Sequence, residues 1–519
     1  MGRLDILIFI VYGLVIIAVG NLLARSKKNT SQSSSDYFFA SKSLPWFLVG
    51  SSIVAANISA EQFIGMSGSG YAIGLGIATY EWIGALILIL VAKFFLPVFI
   101  KKNIFTMPQF LALRYDTRIK TIMAIFWISL FVFVNLTSIL YLGALALKTI
   151  FGIKLIYGII GLAVFSLLYT IINGLKAIAS TDIIQVFFLL IGGLVTTWYA
   201  VNQAGGNAGI IHGFESMFTE VSDKFHMIIH KSDPNYFYLP GIRAIFGGIW
   251  IAGIYYFGAN QYIIQKAFGA KSLQEAQRGM VFAAYLKLIL PFVVVIPGIA
   301  AFALAADIGK PDEAYPWLLE TIVPAGVKGF IFAALIAAIV SSFSAIINST
   351  STIFTMDLYK PYFNRNASEK NLVAVGRISG IIAMVIAVIC APLLGSIDQA
   401  FQFIQEYTGM ISPGITAIFV LGLFWKRTTS TAALWGTILS IPLSAAIKFL
   451  IPGMPFLDQM VITFLGISGI MVIISLLEDS EKKGPGLELS RKIFKTDKVF
   501  NLLSIIIIII LSAIYILFW

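Results

Sequence analysis

Apolar runs of about twenty residues recur along the whole chain, separated by short polar stretches, and that is the length a helix needs to cross a bilayer. The runs lie near 4–25, 45–69, 74–99, 119–150, 154–173, 181–203, 240–267, 279–308, 325–356, 370–392, 396–425, 430–450, 456–477 and 499–519. They predict an all-α polytopic membrane protein of about fourteen transmembrane helices. The hydrophilic stretches, at 26–44, 204–238, 357–371 and 478–498, are too short for a further globular domain, so 1–519 reads as a single transmembrane domain. The first run is too long for the core of a signal peptide. It also lacks a small-residue cleavage site before Arg25, Lys27 and Lys28, so it is expected to stay as a helix.

Two runs carry polar residues and glycines that a lipid-facing helix avoids. Ser51–Tyr71 reads SSIVAANISAEQFIGMSGSGY, and Gly247–Gln265 reads GGIWIAGIYYFGANQYIIQ. An unwound backbone in lipid leaves polar groups unsatisfied at several kcal/mol each, so such segments survive only beside a cavity or an ion. The two lie five spans apart, an odd number, and therefore enter the membrane from opposite sides. That is the geometry of an inverted five-plus-five repeat with solute and ion near the midplane. Residues 45–203 would form the first repeat and 240–425 the second. One extra helix at 4–25 and three at 430–519 would flank them.

With the N-terminus outside, the alternating loops place most of the 36 Lys and Arg residues inside, among them Lys101, Lys102, Arg114, Lys266, Arg278, Arg365, Lys482 and Lys483. A missed helix would invert every later loop and spoil this positive-inside bias. An even count with both termini outside is therefore expected.

Composition agrees: apolar residues make up 59% of the chain and charged residues 12%, where soluble domains carry about 25% charged residues. The net charge of +11 lies in short loops rather than in a patch suited to nucleic acid, and no nucleic-acid partner is expected. Cys390 alone forms no internal disulfide. His212, His226 and His230 fall in one hydrophilic loop and read as solvated. No phosphate-binding glycine loop, nucleophile with adjacent base or metal-ligand spacing points to an enzyme, and no cofactor is expected. Nor does any segment call for an obligatory protein partner.

The charges inside spans are few: Glu61, Glu81, Lys93, Asp182, Lys287 and Glu406. Each costs about 2.5–3.5 kcal/mol on insertion scales and is a functional candidate. Lys93 sits near a helix end, from which it can snorkel. Glu81 and Lys287, with Gln62 and Gln405, offer the mixed donors and acceptors that a polyhydroxylated solute needs; they also suit a purely structural Glu–Lys tie, and spacing does not choose between the two. Tyr80, Tyr255, Tyr256 and Phe401 could stack on a sugar ring or simply pack. Ser341, Ser342 and Ser344 lie within one turn of an apolar helix. With carbonyls freed at a helix break, such as Ala55 and Ile58, they could hold a hard cation such as sodium. Serines in such a helix also bond their own i−4 carbonyls.

NISAEQFIGMSGSGY at 57–71 strongly resembles the sodium/solute symporter family, whose fold is of the LeuT type. The resemblance runs through DYFFASKSLPW at 36–46, FWISLFVFVNLTSILYLG at 126–143, TDIIQVFF at 181–188, NQYIIQ at 260–265, FAALIAAIVSSFSAIINSTSTIFTMD at 332–357 and FQFIQEYTG at 401–409. It implies a sodium-driven symporter of sugars in a bacterial inner membrane. Gln62, Glu81, Lys287 and Gln405 match sugar-bonding positions of a galactose-carrying member, and Asn57 a polar residue beside them. Tyr256 matches an inner tyrosine on the ring, and Met66, Tyr80 and Phe401 match an outer gate. The sodium site would use the carbonyls of Ala55, Ile58 and Ala338 and the hydroxyls of Ser341 and Ser342, with Asp182 near the ion's route. Gly253 and Gly84 stand where that member has a sugar-contacting asparagine and a serine. The expected solute is glucose or galactose, or alternatively sialic acid, myo-inositol or a nucleoside; a sugar sensor is a further reading.

Overall fold

Five of the long helices begin at a side-chain cap that the sequence supplies. The Asp116 side chain accepts from Arg118 N and Ile119 N, Ser272 from Glu275 N, Ser368 from Asn371 N, Thr429 from Ala432 N and Asp497 from Phe500 N, each opening a long apolar helix. The computed structural model describes residues 2–8, 10, 11, 15, 42–172, 175–396, 399–478 and 490–519. The expected helix at 4–25 and the hydrophilic stretches at 26–44 and 478–498 fall largely outside them. Among the described residues the elements are helical apart from an isolated bridge, Leu44 to Ala270.

In chain order the helices that matter here are α1 (Trp46–Asn57), α2 (Ser67–Ala72), α3 (Thr79–Phe94), α4 (Thr117–Leu130), α5 (Thr137–Phe151), α6 (Leu155–Ile172), α7 (Leu175–Ala204), α8 (Gly241–Phe246), α9 (Gly248–Ile254), α10 (Gln261–Phe268), α11 (Leu273–Ala303), α12 (Val327–Ile353), α13 (Glu369–Cys390), α14 (Ala400–Phe424), α15 (Ser430–Leu450), α16 (Phe456–Leu477) and α17 (Lys498–Leu517). Among the described residues ten helical segments are long and apolar enough to cross a membrane, and two bent pairs bring the number to 12. The first bent pair is the first interrupted segment, Trp46–Asn57 meeting Glu61–Ala72 at 61°. The second, Pro234–Phe246 meeting Gly248–Ala259 at 76°, bends at Gly247, where the second interrupted segment begins, and that segment breaks again at Asn260. The run at 154–173 yields a shorter apolar stretch, Leu155–Leu167.

The span Val327–Tyr362 is 94% buried in its most apolar window and forms the centre, whereas Phe456–Leu477 and Lys498–Leu517 are 28% and 22% buried and form the rim. The broken first helix lies directly on α11. At Gly298 an added Cβ would stand 2.0 Å from Ser67 O, and at Gly279 it would stand 2.9 Å from Trp46 O, so only glycine lets the two backbones approach at both ends.

The described ends of the chain share one face of the bundle. Asp5 Oδ1 accepts from Gly326 N at 2.6 Å and Gly329 N at 3.0 Å, capping α12. Phe518 O accepts from Met227 N at 2.8 Å. The loop carrying Met227 also sends Lys224 Nζ to Ala72 O at 2.7 Å, closing the end of α2. Partial burial lowers the Lys224 pKa, against the opposing pull of Asp233 and Asp223.

Two lysine and arginine positions depart from the sequence reading. Arg114 and Lys266, expected in solvated inner loops, are buried. Arg114 donates Nε to Gly422 O at 2.8 Å and Nη2 to Thr428 O at 3.1 Å, capping the end of α14. Burial lowers its pKa. Lys266 pairs with Asp182 inside the bundle. Both are held inside by acceptors: carbonyls at the end of α14 for Arg114 and the Asp182 carboxylate for Lys266.

Candidate functional site

At the first break Ile58 turns to extended backbone, φ −79 and ψ 102. The chain restarts through Ser59-Ala60-Glu61-Gln62 as a capping box. Ser59 Oγ accepts from Glu61 N at 3.1 Å, and Gln62 Oε1 accepts from Ser59 N at 3.2 Å. Gln62 thus has a structural task as well as a place on the cavity wall. The restart is π-helical over Glu61–Met66. Two further π-helical stretches, Phe131–Leu136 after α4 and Tyr255–Ala259 after α9, face the same region. Such widened turns aim side chains that a regular helix would turn away, and they are frequent at functional sites.

These three stretches, with α3, α11 and α14, enclose a cavity in which water centres can occupy about 70 Å³. Asn57, Gln62, Glu81, Tyr256, Lys287 and Gln405, the six residues expected at the solute, all line it. Lys287 Nζ reaches Glu81 Oε2 at 2.5 Å and donates to Asn57 Oδ1 at 2.6 Å. Asn57 Nδ2 donates to Tyr256 OH at 3.0 Å, which also accepts from Tyr262 OH at 2.7 Å. Five helical segments are tied by this chain. Gly84 and Gly253 line the cavity as well.

Sequence reasoning did not assign Glu61, Asn135, Asn260 or Thr408 to this wall, although each is a polar residue in an apolar run. Among the described residues Glu61 Oε1, Tyr80 OH, Asn135 Oδ1, Asn260 Oδ1 and Thr408 Oγ1, buried atoms of residues lining the cavity, find no hydrogen-bond partner. A buried polar atom without a partner costs about 1–3 kcal/mol, so five on one cavity mark a place built for a polar guest. Gln261, by contrast, leaves the cavity: its Oε1 accepts from Met107 N at 2.8 Å. Of the expected gate residues, Tyr80 and Phe401 pack edge to face with centroids 5.4 Å apart. Met66 is buried nearby in sequence but does not line the cavity.

The serine cluster divides. Ser344 bonds its own Val340 carbonyl at 2.7 Å, as a serine in a helix commonly does. Ser342 Oγ leaves α12 and donates to Ala55 O at 2.9 Å and Ile58 O at 3.2 Å, the carbonyls freed at the first break. Ser341 Oγ donates to Asp182 Oδ1 at 2.5 Å. Ala338 lies one turn earlier on α12 and is also buried. Oxygen atoms from α1, α7 and α12 therefore meet within a few residues of the solute-facing Asn57. Such a set, of hydroxyls, carbonyls and one carboxylate, suits a hard monovalent cation.

A polar cavity enclosed where helices break, deep within apolar spans, defines a membrane carrier of the secondary-transporter class. The chain belongs to the sodium:solute symporter family, which matches residues 37–440. It is 51% identical over 539 residues to the sodium/glucose cotransporter of Vibrio parahaemolyticus, across 100% of this chain and 99% of the relative. It is 32% identical to the sodium/myo-inositol cotransporter 2 of Oryctolagus cuniculus, across 84% of this chain and 68% of the relative. Among solved structures, a substrate-bound, outward-open Na+-coupled sialic acid symporter matches with a TM-score of 0.82 at 25% identity, covering 94% of this chain and 100% of that one. The nucleobase-cation-symport-1 family transporter Mhp1, in a closed conformation, shares the fold with a TM-score of 0.56 at 15% identity over 87% of this chain and 98% of that one.

Proposed function

We propose that this multi-pass membrane protein is a sodium-coupled symporter that imports a neutral sugar of the galactose or glucose type by alternating access. The observation that carries the reading is the meeting of two polar sites at one helix break: Asn57 faces the solute cavity while Ala55 and Ile58, on the same turn, present their carbonyls to Ser342. Sodium at the carbonyls of Ala55, Ile58 and Ala338 and the hydroxyls of Ser341 and Ser342 would hold the break against α12 and so set the wall against which the sugar binds. Asp182 would line the ion's route.

The sugar would bond to Gln62, Glu81, Lys287 and Gln405, with Asn57 alongside and Tyr256 against the ring. Tyr80, Phe401 and Met66 would close above it. Lys287 is matched by Glu81 at 2.5 Å, which favours a neutral polyol over an acid such as sialic acid. The name of the 51% identical relative supports glucose among the sugars. The myo-inositol relatives keep that neutral polyol as the second reading. One sodium charge crossing 100 mV supplies about 2.3 kcal/mol for accumulation.

The finer architecture belongs to the same proposal. Ends that share one face require an even number of crossings. The twelve spans, the shorter helix at 155–172 and a helix at 4–25 make fourteen: an inverted repeat over 45–203 and 240–425 with the remaining helices around it. We place both termini outside a bacterial inner membrane, and expect neither an enzymatic activity nor an obligatory protein partner.

The test is uptake of labelled galactose and glucose into proteoliposomes under an inward sodium gradient, and again with potassium in its place. Accumulation with sodium alone, abolished by Ser342→Ala, is the expected result. Sodium-independent uptake, or no uptake of either sugar, overturns the coupling or the solute respectively.

A further inference from the structure

Asp182 on α7 is fully buried, and side chains from three other helices share its two oxygens. Ser341 of α12 takes Oδ1, while Ser52 of α1 and Lys266 of α10 both meet Oδ2, the ammonium at 3.3 Å. Ser341 is the chain neighbour of Ser342, and Ser52 lies one turn before Ala55. The carboxylate and the two freed carbonyls are therefore halves of one oxygen-rich patch, and Lys266 is the cation already in it. The Lys266 side chain is 1% exposed, so water cannot screen its charge. Lys266 also rides on α10, which starts directly after the second break at Asn260. Its ammonium thus ties the helix after the second break to Asp182, whose Oδ2 also holds Ser52 of the first broken helix.

We propose that Lys266 is a tethered counter-cation of the sodium site. It neutralises Asp182 when sodium is absent, opposes sodium's arrival by like-charge repulsion, and so sets an affinity weak enough for the ion to leave into the cell. The inference rests on the sodium site at Ala55, Ile58 and Ser342. In a site this dry, a second positive charge is felt strongly, because the surroundings have a low dielectric constant. Ion occupancy and the position of α10 are thereby coupled: sodium loosens Lys266 from Asp182, and sodium's departure lets the pair re-form.

The experiment titrates sodium against choline on the purified full-length protein, reading thermal stabilisation, and repeats the titration for uptake in proteoliposomes. Lys266→Gln is expected to lower the half-saturating sodium concentration at least about fivefold, the smaller end of ordinary site-to-site coupling, and to slow turnover at saturating sodium. Asp182→Asn is expected to raise it. A merely structural tie would move both in the same direction, and that result, or an unchanged half-saturation in Lys266→Gln, overturns the proposal. Should Lys266→Gln fail to fold, the doubly neutral D182N/K266Q buries no lone charge and stands in. It is expected to bind sodium more tightly than D182N, and equal binding overturns the proposal. Ser342→Ala separates the layers. Sodium stabilisation surviving in that variant removes the site itself, whereas its loss alongside an inert Lys266→Gln removes only the role given to the lysine.

Discussion

A side chain added at Gly84 would enter the cavity wall with its Cβ 3.3 Å from Phe257 and 3.6 Å from the carbon stem of Lys287. That is tight but tolerable, because a ring edge and a flexible stem can yield. At Gly253 the same addition would stand 2.2 Å from Ile87 Cδ1, so the end of that buried side chain would have to swing aside. The two glycines therefore differ as specificity positions. Gly84→Ser should fold normally and tighten binding of a sugar whose hydroxyl it meets by about 0.5–1.5 kcal/mol, the net worth of one hydrogen bond. Gly253→Asn should overpack the wall at about 1–3 kcal/mol and weaken binding; pairing it with Ile87→Ala should recover stability. Sugar Kd and melting temperature across the three variants check this, and a fully stable, tight-binding Gly253→Asn would contradict it. At this scale the sequence showed which side chains are chemically unusual but not which way they point. Ser341, Ser342 and Ser344 look alike as letters, yet Ser341 reaches Asp182 and Ser342 the freed carbonyls, while Ser344 bonds its own Val340 carbonyl. Lys266 was read as a loop charge because no local pattern places a lysine opposite an aspartate 84 residues away in the chain.

Among the elements, the two broken helices were legible, since Ser, Asn, Gly and Glu in an apolar run announce a backbone that lipid would not accept. The π-helical stretches were not. One extra residue in a turn shifts the phase of a helix without altering its composition, so Asn135 reads as an isolated polar residue until the turn aims it into the cavity. Contacts between distant helices are hidden for the same reason. Asp497 caps α17 through Phe500 N at 2.7 Å and holds Arg278 of α11 at 2.7 Å, so one carboxylate both starts the last helix and ties it to the bundle. Partial burial works to raise its pKa, but the Phe500 amide and Arg278 together hold it below the ordinary 3.8. A depressed value means that the group's stabilisation is present above its unfolded pKa and is lost as pH falls through the folded one. Asp497→Ala should therefore cost about 1 kcal/mol at neutral pH, mainly the cap, since a half-exposed ion pair adds little. The gap in melting temperature between the variant and the parent protein should narrow once the pH drops below 3.8. A gap that stays constant down to pH values well below this would show that the carboxylate's charge contributes nothing.

Across the whole molecule, membrane character and span order follow from run length alone, because the bilayer imposes one dimension on every crossing. Orientation rests on a statistical charge bias, and two of the charges counted for it, Arg114 and Lys266, are buried in the bundle instead. The bonds from Asp5 to the start of α12 and from Met227 to Phe518 supply an independent constraint: both ends of the chain lie on the face opposite the loop that follows α12. Site-directed labelling can decide which face is outside. Cys390 is only half-buried and must first be replaced by serine. In that background Lys231→Cys reports on the face that carries the termini, and Arg365→Cys, in the exposed loop between α12 and α13, reports on the other. A membrane-impermeant maleimide should label Lys231→Cys in intact cells and Arg365→Cys only after permeabilisation. The reverse pattern would turn the carrier over and, with it, the direction in which Tyr80 and Phe401 close. Labelling of both in intact cells would instead break the crossing of α12 that joins the two faces.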